Sequence, residues 1–490
     1  MSARASRIVV LVVAASVVAG CGSDDRSHTV GPPTEVGGFH DAARLSDGSL
    51  AAVGFSGLDA SQRSLVVLLD ADGAPRFSSG FAPVRSSGRV ESRGDANAVA
   101  VTADDVIVAA GRIEGDDDVT QGVVAAFAPS GERLWQTLVR PGDSHEVVAV
   151  AVDGDAAYVA GSARDVPRVD GEPGDAERGV LVARLDVRSG EVAWVDLAAR
   201  AADPLESTTA FAVDASADGR VAVAGAAATA SSSVDWFVGT WSADGTPLWS
   251  DLADGSGETG SAGGGDFDVA RKLRFDATGD LFVVGDTMEA GEGSNIQVVR
   301  YAADGRRRWT RRSGSVPTET FASLDRGTAL AVANDGVWIG GTVERAGDGT
   351  VIPEASIQRF DGAGTLLASL EIHGLSQSGE DVADVAVAAD GESLVAGSLS
   401  SRGAGKDLVV HRTDADGQPR WTATVERTGD DSLDGDHAAR VLVAPDDTVY
   451  SVGSLALADG TPGWAAVALD GDGRLRWSYP TGSVTQTSAR

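Results

Sequence analysis

Short apolar runs that end in glycine recur eight times along the chain. Each run has five or six residues, most of them Val, Ala, Leu or Ile, and a pair rich in Asp and Gly lies five or six residues before the closing glycine. Such pairs favour tight hairpin turns because Gly and Asp tolerate positive φ. The pattern therefore predicts a hairpin whose second strand ends at each glycine. The runs occupy residues 50–54, 106–111, 157–161, 221–225, 281–285, 337–341, 393–397 and 449–453.

A second hairpin follows the first in every repeat. An apolar strand, for example 64–70 or 180–186, leads into a turn glycine, and a bulky aromatic residue stands four positions later in seven of the eight repeats. Six of the ten tryptophans share this position. We expect these large apolar rings to lie on the outermost strand and to pack between neighbouring units. The residues at this position are Phe77, Trp135, Trp194, Trp249, Trp309, Ala368, Trp421 and Trp477.

Each unit thus contains four strands, A to D, and the units repeat every 50 to 64 residues. No segment has a helical hydrophobic period. Radially repeated four-stranded units are typical of β-propellers, which have about four to eight blades. The sequence predicts an all-β chain with a single propeller of about eight four-stranded antiparallel blades over residues 38–482. Seven blades is the main alternative, and residues 483–490 are interpreted as a C-terminal tail.

The repeat resembles the bacterial β-propeller repeat called SBBP and the delta-60 repeat. The similarity rests on runs such as AVAVDGDAAYVAG at 149–161, followed by VARLD at 182–186 and Trp194. More distantly it is similar to the PQQ-type propeller repeat with its tryptophan-docking motif. The resemblance covers about residues 40–482 and implies the fold but no particular activity. Quinoprotein dehydrogenases of that architecture typically have a vicinal disulfide, which a chain with one cysteine cannot form.

The N-terminus resembles a bacterial lipoprotein signal. Arg4 and Arg7 precede an apolar run from 8 to 18, which is too short to span a bilayer as a helix. The sequence Val-Ala-Gly then leads to Cys21, the only cysteine. The resemblance implies a signal peptide at 1–20, acylation of Cys21 and a flexible tether at 21–37. The expected location is the bacterial cell envelope, with the outer membrane favoured because Gly22, and not Asp, follows the cysteine.

The formal net charge is −32. Such a surface repels phosphate backbones and anionic headgroups, so nucleic-acid binding is not expected, and membrane contact is expected through the acyl anchor alone. We expect a monomer whose partner is a protein or a glycan.

Binding is expected on the face that carries the B–C and D–A connections. These connections vary in length, as at 162–178, 253–265, 342–355 and 427–437, whereas the A–B and C–D turns are short and uniform. Variable loops on a rigid scaffold are the usual place for binding residues. The entrance of strand A supplies polar candidates at the mouth of the central channel on this face. They are His40, Asp41, Asn97, His145, Glu146, Arg271, Lys272, Arg326, Asp384, His437 and Arg440.

One segment resembles the first half of a calcium-binding loop, with the candidate ligands Asp430, Ser432, Asp434 and Asp436. The acid expected at the twelfth position is replaced by Val441. No other cofactor is expected. Similar Asp-x-Asp-Gly runs at Asp70, Asp414 and Asp470 are interpreted as turns.

No catalytic residue can be selected from the sequence. No nucleophile elbow has a strand–helix context, and no free thiol remains once Cys21 is acylated. We therefore expect a non-enzymatic binding or scaffold protein. A glycoside hydrolase or lyase that uses carboxylates at the channel mouth is one alternative. An assembly factor similar to the outer-membrane lipoprotein propeller that assists β-barrel insertion is the other.

Overall fold

A computed structural model describes the chain as an eight-bladed β-propeller, which confirms the predicted architecture. It describes residues 36–58, 61–81, 93–114, 119–140, 144–167, 176–201, 208–229, 232–253, 268–289, 293–314, 323–346, 351–372, 381–400, 406–427, 436–457, 459–480 and 484–489. Within these ranges no helix has the length and apolar character needed to cross a membrane. The predicted signal peptide, Cys21 and most of the tether lie outside them.

Each blade is a four-stranded antiparallel sheet whose strands follow the chain from the axis outwards. Blades 1 to 4 contain β1 (Gly37–Arg44), β2 (Leu50–Ser56), β3 (Arg63–Leu69), β4 (Pro75–Ser79), β5 (Gly94–Val101), β6 (Ile107–Glu114), β7 (Thr120–Phe127), β8 (Arg133–Val139), β9 (Ser144–Asp153), β10 (Ala156–Pro167), β11 (Ala176–Asp186), β12 (Val192–Ala201), β13 (Thr209–Ala215), β14 (Val221–Thr229), β15 (Ser232–Trp241) and β16 (Pro247–Ala253).

Blades 5 to 8 follow the same plan with two additional strands, one paired with strand C of blade 5 and one with the outer strand of blade 7. They contain β17 (Val269–Phe275), β18 (Leu281–Glu289), β19 (Gly293–Tyr301), β20 (Arg307–Ser313), β21 (Ser323–Leu324), β22 (Arg326–Ala333), β23 (Gly336–Ala346), β24 (Val351–Asp361), β25 (Leu366–Ile372), β26 (Asp381–Val387), β27 (Ser393–Ser400), β28 (Lys406–Thr413), β29 (Pro419–Arg427), β30 (His437–Val443), β31 (Val449–Ala456), β32 (Pro462–Leu469), β33 (Leu475–Tyr479) and β34 (Val484–Ala489).

The C–D turns combine a carboxylate with a left-handed glycine. In blade 1 the Asp70 carboxylate accepts hydrogen bonds from the amides of Asp72 and Ala74, and Gly73 has a φ of 81°. Asp414 and Asp470 accept the corresponding bonds in blades 7 and 8. Short polar side chains that bond to their own turn favour this geometry, and at these three positions they account for the Asp-x-Asp-Gly runs.

The turn glycine is also the place where the next blade docks. The Trp309 indole lies against Gly364 of the following blade and donates a hydrogen bond of 3.0 Å to the Gly362 carbonyl. A side chain on the glycine would collide with the ring, because an added Cβ would lie 2.7 Å from it. Stacking and hydrogen bonding together fix the angle between blades. The same two contacts are made by Trp135, Trp194, Trp249, Trp421 and Trp477.

The interface between blades 6 and 7 has Ala368 where the other blades have an aromatic ring. Ala368 lies against Gly417, and Arg359 donates a hydrogen bond of 2.5 Å to the Ala415 carbonyl, the acceptor that an indole uses elsewhere. In blade 6 the bulky ring lies on strand B instead, where Trp338 is fully buried in the same apolar cluster and stacks with Arg359. The ring volume is thus supplied from strand B. The carbonyl keeps the arginine hydrogen bond that Arg184, Arg300 and Arg412 donate in other blades beside an indole.

The ring closes without exchange of strands, since every blade takes its four main strands from consecutive sequence. At the seam between blades 8 and 1, Val36 pairs with Gly463 in an isolated bridge. The Trp464 indole donates a 3.0 Å hydrogen bond to the Phe55 carbonyl, and Trp477 donates one of 2.8 Å to the Ala71 carbonyl.

The segment interpreted as a C-terminal tail forms a strand. β34 pairs antiparallel with β29 and so becomes the fifth strand of blade 7. Gln486 from β34 accepts a hydrogen bond from the Leu475 amide and donates one to the Gly473 carbonyl, both in blade 8. The end of the chain therefore connects the last two blades.

Two connections predicted as long loops are partly continuations of strands B and C. In blade 6 the ladder runs without interruption from Thr342 paired with Ala355 to Ala346 paired with Val351. In blade 3 it extends to Pro167 paired with Ala176. The face opposite the tight turns thus carries two projecting hairpins. The predicted loops at 253–265 and 427–437 lie almost entirely outside the described residues.

Candidate functional site: the channel and its mouth

Strand A of every blade has one irregularity in its pairing with strand B. In blade 5, for example, Ala270 pairs with Gly285 and Lys272 with Val284, so Arg271 has no partner in the ladder. Such bulges bend a strand and redirect side chains. The unpaired residue and its successor therefore occupy equivalent positions around the axis, and most of the predicted mouth residues fall on these positions.

The structure brings four of the predicted residues together in the channel. The successor position carries Asp41, Lys272, Asp384 and Arg440 in blades 1, 5, 7 and 8. Arg440 Nε lies 3.3 Å from an Asp41 oxygen and 3.4 Å from an Asp384 oxygen. Attraction to Asp384 is the main reason why the pKa of Arg440 is raised. The remaining blades have alanine there: Ala98, Ala149, Ala212 and Ala329.

The two carboxylates of this cluster also support the framework. Asp41 accepts a 3.0 Å hydrogen bond from the Val99 amide of blade 2, and Asp384 accepts one of 3.1 Å from the Val441 amide of blade 8. In blade 2, Asn97 likewise donates a 2.8 Å bond to the Val147 carbonyl of blade 3. These contacts tie together the inner strands of blades 1 and 2, 2 and 3, and 7 and 8, which gives Asp41, Asn97 and Asp384 a structural role.

Other predicted mouth residues form separate ion pairs. His40 Nδ1 lies 3.3 Å from Asp95, whose pKa is raised by burial although His40 opposes the shift. Arg271 forms a bidentate ion pair with Asp286. Its Nε and Nη2 atoms donate to the two carboxylate oxygens at 2.5 and 3.0 Å. Burial raises the pKa of Asp286 even against that guanidinium.

The rest of the set is spread around the rim. Glu146 lies 3.6 Å from Arg112 and accepts a bond from Ser162, and Arg326 is exposed near Asp286. His437 is exposed and contacts Ser454. The predicted residues thus form one central cluster and several local pairs, and they do not line a single pocket.

His145 differs from the others because it is only 3% exposed. Its ring packs close to Gly122 of blade 2, and neither ring nitrogen has a hydrogen-bond partner among the described residues. Burial lowers its pKa to about 4, with a smaller contribution from Arg140. The imidazole is therefore neutral near pH 7 and lies between two blades.

The calcium hypothesis rests mainly on residues outside the described ranges, namely Asp430, Ser432 and Asp434. The fourth candidate, Asp436, is buried and accepts a 2.5 Å hydrogen bond from the Ala456 amide at the end of strand B. Asp268 and Asp325 make the same contact in blades 5 and 6. Asp436 therefore has the capping role of its counterparts. No cluster of three or more His, Cys, Asp or Glu side chains suited to a metal was found among the described residues.

Sequence analysis missed Phe211, which occupies the bulge position of blade 4. Its side chain is 39% exposed, and the Arg271 guanidinium lies 5.8 Å from its ring centroid. A half-exposed aromatic ring beside a cation is typical of binding surfaces. Phe211 and Arg271 share the same position in strand A, and this alignment is the signal that could have identified the ring, although it is not a polar residue like the other candidates.

A cleft of about 580 Å³ opens between blades 7 and 8 on the tight-turn face. Arg412 lies at its base and binds Glu392 at 2.6 Å and Asp447 at 2.8 Å, while Arg420 lies 3.1 Å from Glu392. Asp470 and Asp472 complete its acidic wall. The buried charges of this cleft are paired with one another, so they hold the two blades together.

No family model matches the chain, and no curated protein matches it. The resemblance to SBBP and delta-60 repeats therefore stays an expectation. Among solved structures, the chain is similar to Sqt1 from Chaetomium thermophilum bound to the N-terminus of the ribosomal protein L10. The two are 14% identical over 85% of this chain and 94% of that chain, with a TM-score of 0.50. Drosophila Plexin A in complex with Semaphorin 1b is 8% identical over 74% and 83%, with a TM-score of 0.40. The similarity to Sqt1 shows a shared propeller fold.

Proposed function

We propose that this chain is a lipid-anchored, extracytoplasmic binding protein that holds a protein partner on the face opposite its tight turns. The observation that carries the proposal is the difference between the two faces of the propeller. The tight-turn face repeats one docking scheme, an indole on a turn glycine, at six of the eight blade interfaces. The opposite face carries two projecting hairpins and the half-exposed Phe211 beside Arg271. Variable elements on a rigid scaffold are typical of binding surfaces.

The geometry of the central carboxylates favours binding over hydrolysis. Asp41 and Asp384 both contact Arg440 Nε, which places them close enough for a glycosidase pair. A glycosidase, however, needs one carboxyl group that is protonated before the reaction. Here both groups contact the Arg440 guanidinium, and each already accepts a backbone hydrogen bond from a neighbouring blade, so both are engaged in holding the framework together.

A protein partner is favoured over a glycan by the composition of the described mouth. Phe211 is the half-exposed aromatic side chain there, and it lies beside Arg271, which is paired with Asp286; a second ion pair, Arg112 with Glu146, lies elsewhere on the rim. Such a surface complements a mixed peptide better than a stack of sugar rings, which requires several aromatic platforms. Sqt1, a protein of similar fold, has a peptide segment as its ligand.

Membrane anchoring is tested by Cys21→Ser. The wild-type protein should fractionate with membranes and incorporate a labelled palmitate analogue, and the variant should do neither. A variant that still takes up the label would show that the lipobox interpretation is wrong.

The binding face is tested by site-specific photo-crosslinking in cells. A photoreactive residue at position 211 should form an adduct with a partner, whereas the same residue at Arg188, an exposed site on the tight-turn face, should not. An untagged wild-type competitor should suppress the adduct more strongly than a Phe211→Ala competitor. Adducts formed only from position 188 would show that the partner binds the tight-turn face, and would contradict the proposal. Hydrolysis of a glycan by the wild type, abolished in Asp384→Asn, would instead support the enzyme alternative.

A further inference from the structure

Lys272 occupies the position after the strand-A bulge of blade 5, equivalent to Asp41, Asp384 and Arg440 of blades 1, 7 and 8. It lies on strand A of blade 5, yet the charges that act on its ammonium include Asp384, Arg440 and Asp41, which belong to blades 7, 8 and 1. Blades 5 and 1 stand opposite each other in an eight-membered ring. A side chain from blade 5 can approach these residues only by reaching across the bore, so the ammonium lies near the axis.

The ammonium has no dedicated counter-ion. Lys272 makes no hydrogen bond or ion pair with the residues that the structure describes. The two nearby carboxylates are shared with Arg440 at 3.3 and 3.4 Å and bind backbone amides of neighbouring blades. Arg274, two residues further along the same strand, adds a third cation to the cluster, and its own acid, Asp214, lies 3.7 Å away.

The distances from Arg440 to Asp41 and Asp384, and from Arg274 to Asp214, are longer than those of charge-assisted hydrogen bonds, which are about 2.7–2.9 Å. Burial lowers the pKa of Lys272, and the guanidiniums of Arg440 and Arg274 act in the same direction, although Asp384 and Asp41 oppose it. An additional negative group beside the ammonium would offset this effect of burial. The alanines at the equivalent positions of blades 2, 3, 4 and 6 leave the neighbouring wall of the channel without bulky side chains.

We propose that the channel contains a binding site for an anionic oxygen group, a carboxylate or a phosphate, between the Lys272 ammonium and the Arg440 guanidinium. The site lies inside the bore and does not depend on the partner-binding face proposed above. Lysine suits it because its compact ammonium on a flexible stem can adjust to the ligand.

The composition of the chain provides a clean test, because Lys272 and Lys406 are its only lysines. Lys406 lies 3.9 Å from Asp381 and serves as an internal control. The wild-type protein is acylated with N-hydroxysuccinimidyl acetate, a small uncharged reagent, and the modification of each lysine is followed by peptide mass spectrometry. Separate arms contain sodium phosphate, sodium acetate or sodium chloride at equal ionic strength and pH.

Phosphate or acetate should slow the labelling of Lys272 several-fold and in a saturable manner, while labelling of Lys406 stays unchanged. The pH at which Lys272 is half-reactive should rise in the protecting buffer, because a bound anion stabilises the charged amine. If phosphate protects Lys272 from acylation, the ligand is a phosphate group; if acetate does, the ligand is a carboxylate. In calorimetry the same anion should release heat with the wild type and not with Lys272→Met.

Equal protection of both lysines, or protection by chloride as well, would show general screening and overturn the proposal. Failure of the reagent to reach Lys272 without added anion would overturn it too, since a bore closed to that reagent is closed to phosphate.

Discussion

Single glycines set the distance between blades. At Gly364 a left-handed backbone and a stacked indole coincide, with a φ of 80° and the Trp309 ring 2.7 Å from an added Cβ. Gly460 has nearly the same φ, 79°, but an added Cβ would meet no atom within 4 Å. The two positions therefore separate the cost of the backbone conformation from the cost of a collision.

Gly460→Ala should destabilise the protein by about 1–2 kcal/mol, the cost of a left-handed conformation in a residue with a Cβ. Gly364→Ala should cost a further 1–3 kcal/mol, roughly the penalty for overpacking. Urea unfolding at neutral pH measures both changes in the free energy of unfolding. Equal losses would mean that the indole moves aside and that the stack contributes little to the blade interface.

Buried histidines should make stability depend on pH. Burial lowers the pKa values of His145 and His411 to about 4, from an ordinary value of 6.5. Between these values the unfolded chain binds more protons than the folded chain, so stability falls as the pH drops from about 6.5 to about 4. The full shift corresponds to about 3 kcal/mol for each ring.

His145→Leu or His411→Leu should therefore reduce the difference in unfolding free energy between pH 7 and pH 4.5. His437→Leu is the matched control, because that histidine is exposed. The measurement is urea unfolding of each variant at both pH values. A control variant that flattens the pH dependence as much as the other two would contradict this assignment.

At the scale of strands, the sequence predicted which segments pair but not how strand A bends. Glycine, aspartate and tryptophan mark the turns and docks because those positions tolerate few other residues. The bulges of strand A have no such signature. Their unpaired residues are as different as His40, Asn97, Phe211 and Arg271. Thus the candidate residues could be predicted as a group, but their division into one cluster and separate pairs could not.

The added strand β34 protects the outer edge of blade 7. Deletion of residues 484–490 should leave the hydrogen-bonding groups of β29 unpaired, and exposed edges promote association between chains. We expect faster amide hydrogen exchange over Thr422–Arg427 and a larger apparent mass in size-exclusion chromatography with light scattering.

Gln486→Ala is the control for this deletion. It removes the two side-chain contacts to blade 8 but keeps the ladder between β29 and β34. Exchange over Thr422–Arg427 should then stay close to that of the wild type. Rapid exchange in this variant as well would show that the link to blade 8, and not the ladder, holds the strand in place.

At the scale of the whole molecule, the sequence predicted the number of blades but not the closure of the ring. Closure depends on contacts between residues far apart in the chain, such as Trp464 with Phe55 and Arg440 with Asp41. A repeat pattern is the same for every interface, so it cannot distinguish the seam. The charged cluster at the axis escaped prediction for the same reason, because its members come from four separate blades.

The seam between blades 8 and 1 should be the weakest interface, because no covalent connection crosses it. Trp477 at the seam and Trp194 between blades 3 and 4 make matching contacts. Each stacks on a turn glycine, donates to a turn carbonyl at 2.8 or 2.9 Å, and lies beside a tyrosine ring. Truncation of either indole should lower the free energy of unfolding by a few kcal/mol, up to about 3–5 if the ring were fully buried.

Truncation of Trp477 and truncation of Trp194 should differ in their effect on the unfolding rate. When blades 3 and 4 separate, the chain between β12 and β13 still connects them, and this covalent connection limits the entropy gained on opening. Separation of blades 8 and 1 frees both ends of the ring. Trp477→Ala should therefore increase the unfolding rate and the rate of limited proteolysis in blades 1 and 8 more than Trp194→Ala does anywhere. Identical unfolding rates for the two variants would show that the ring opens without preference for its seam.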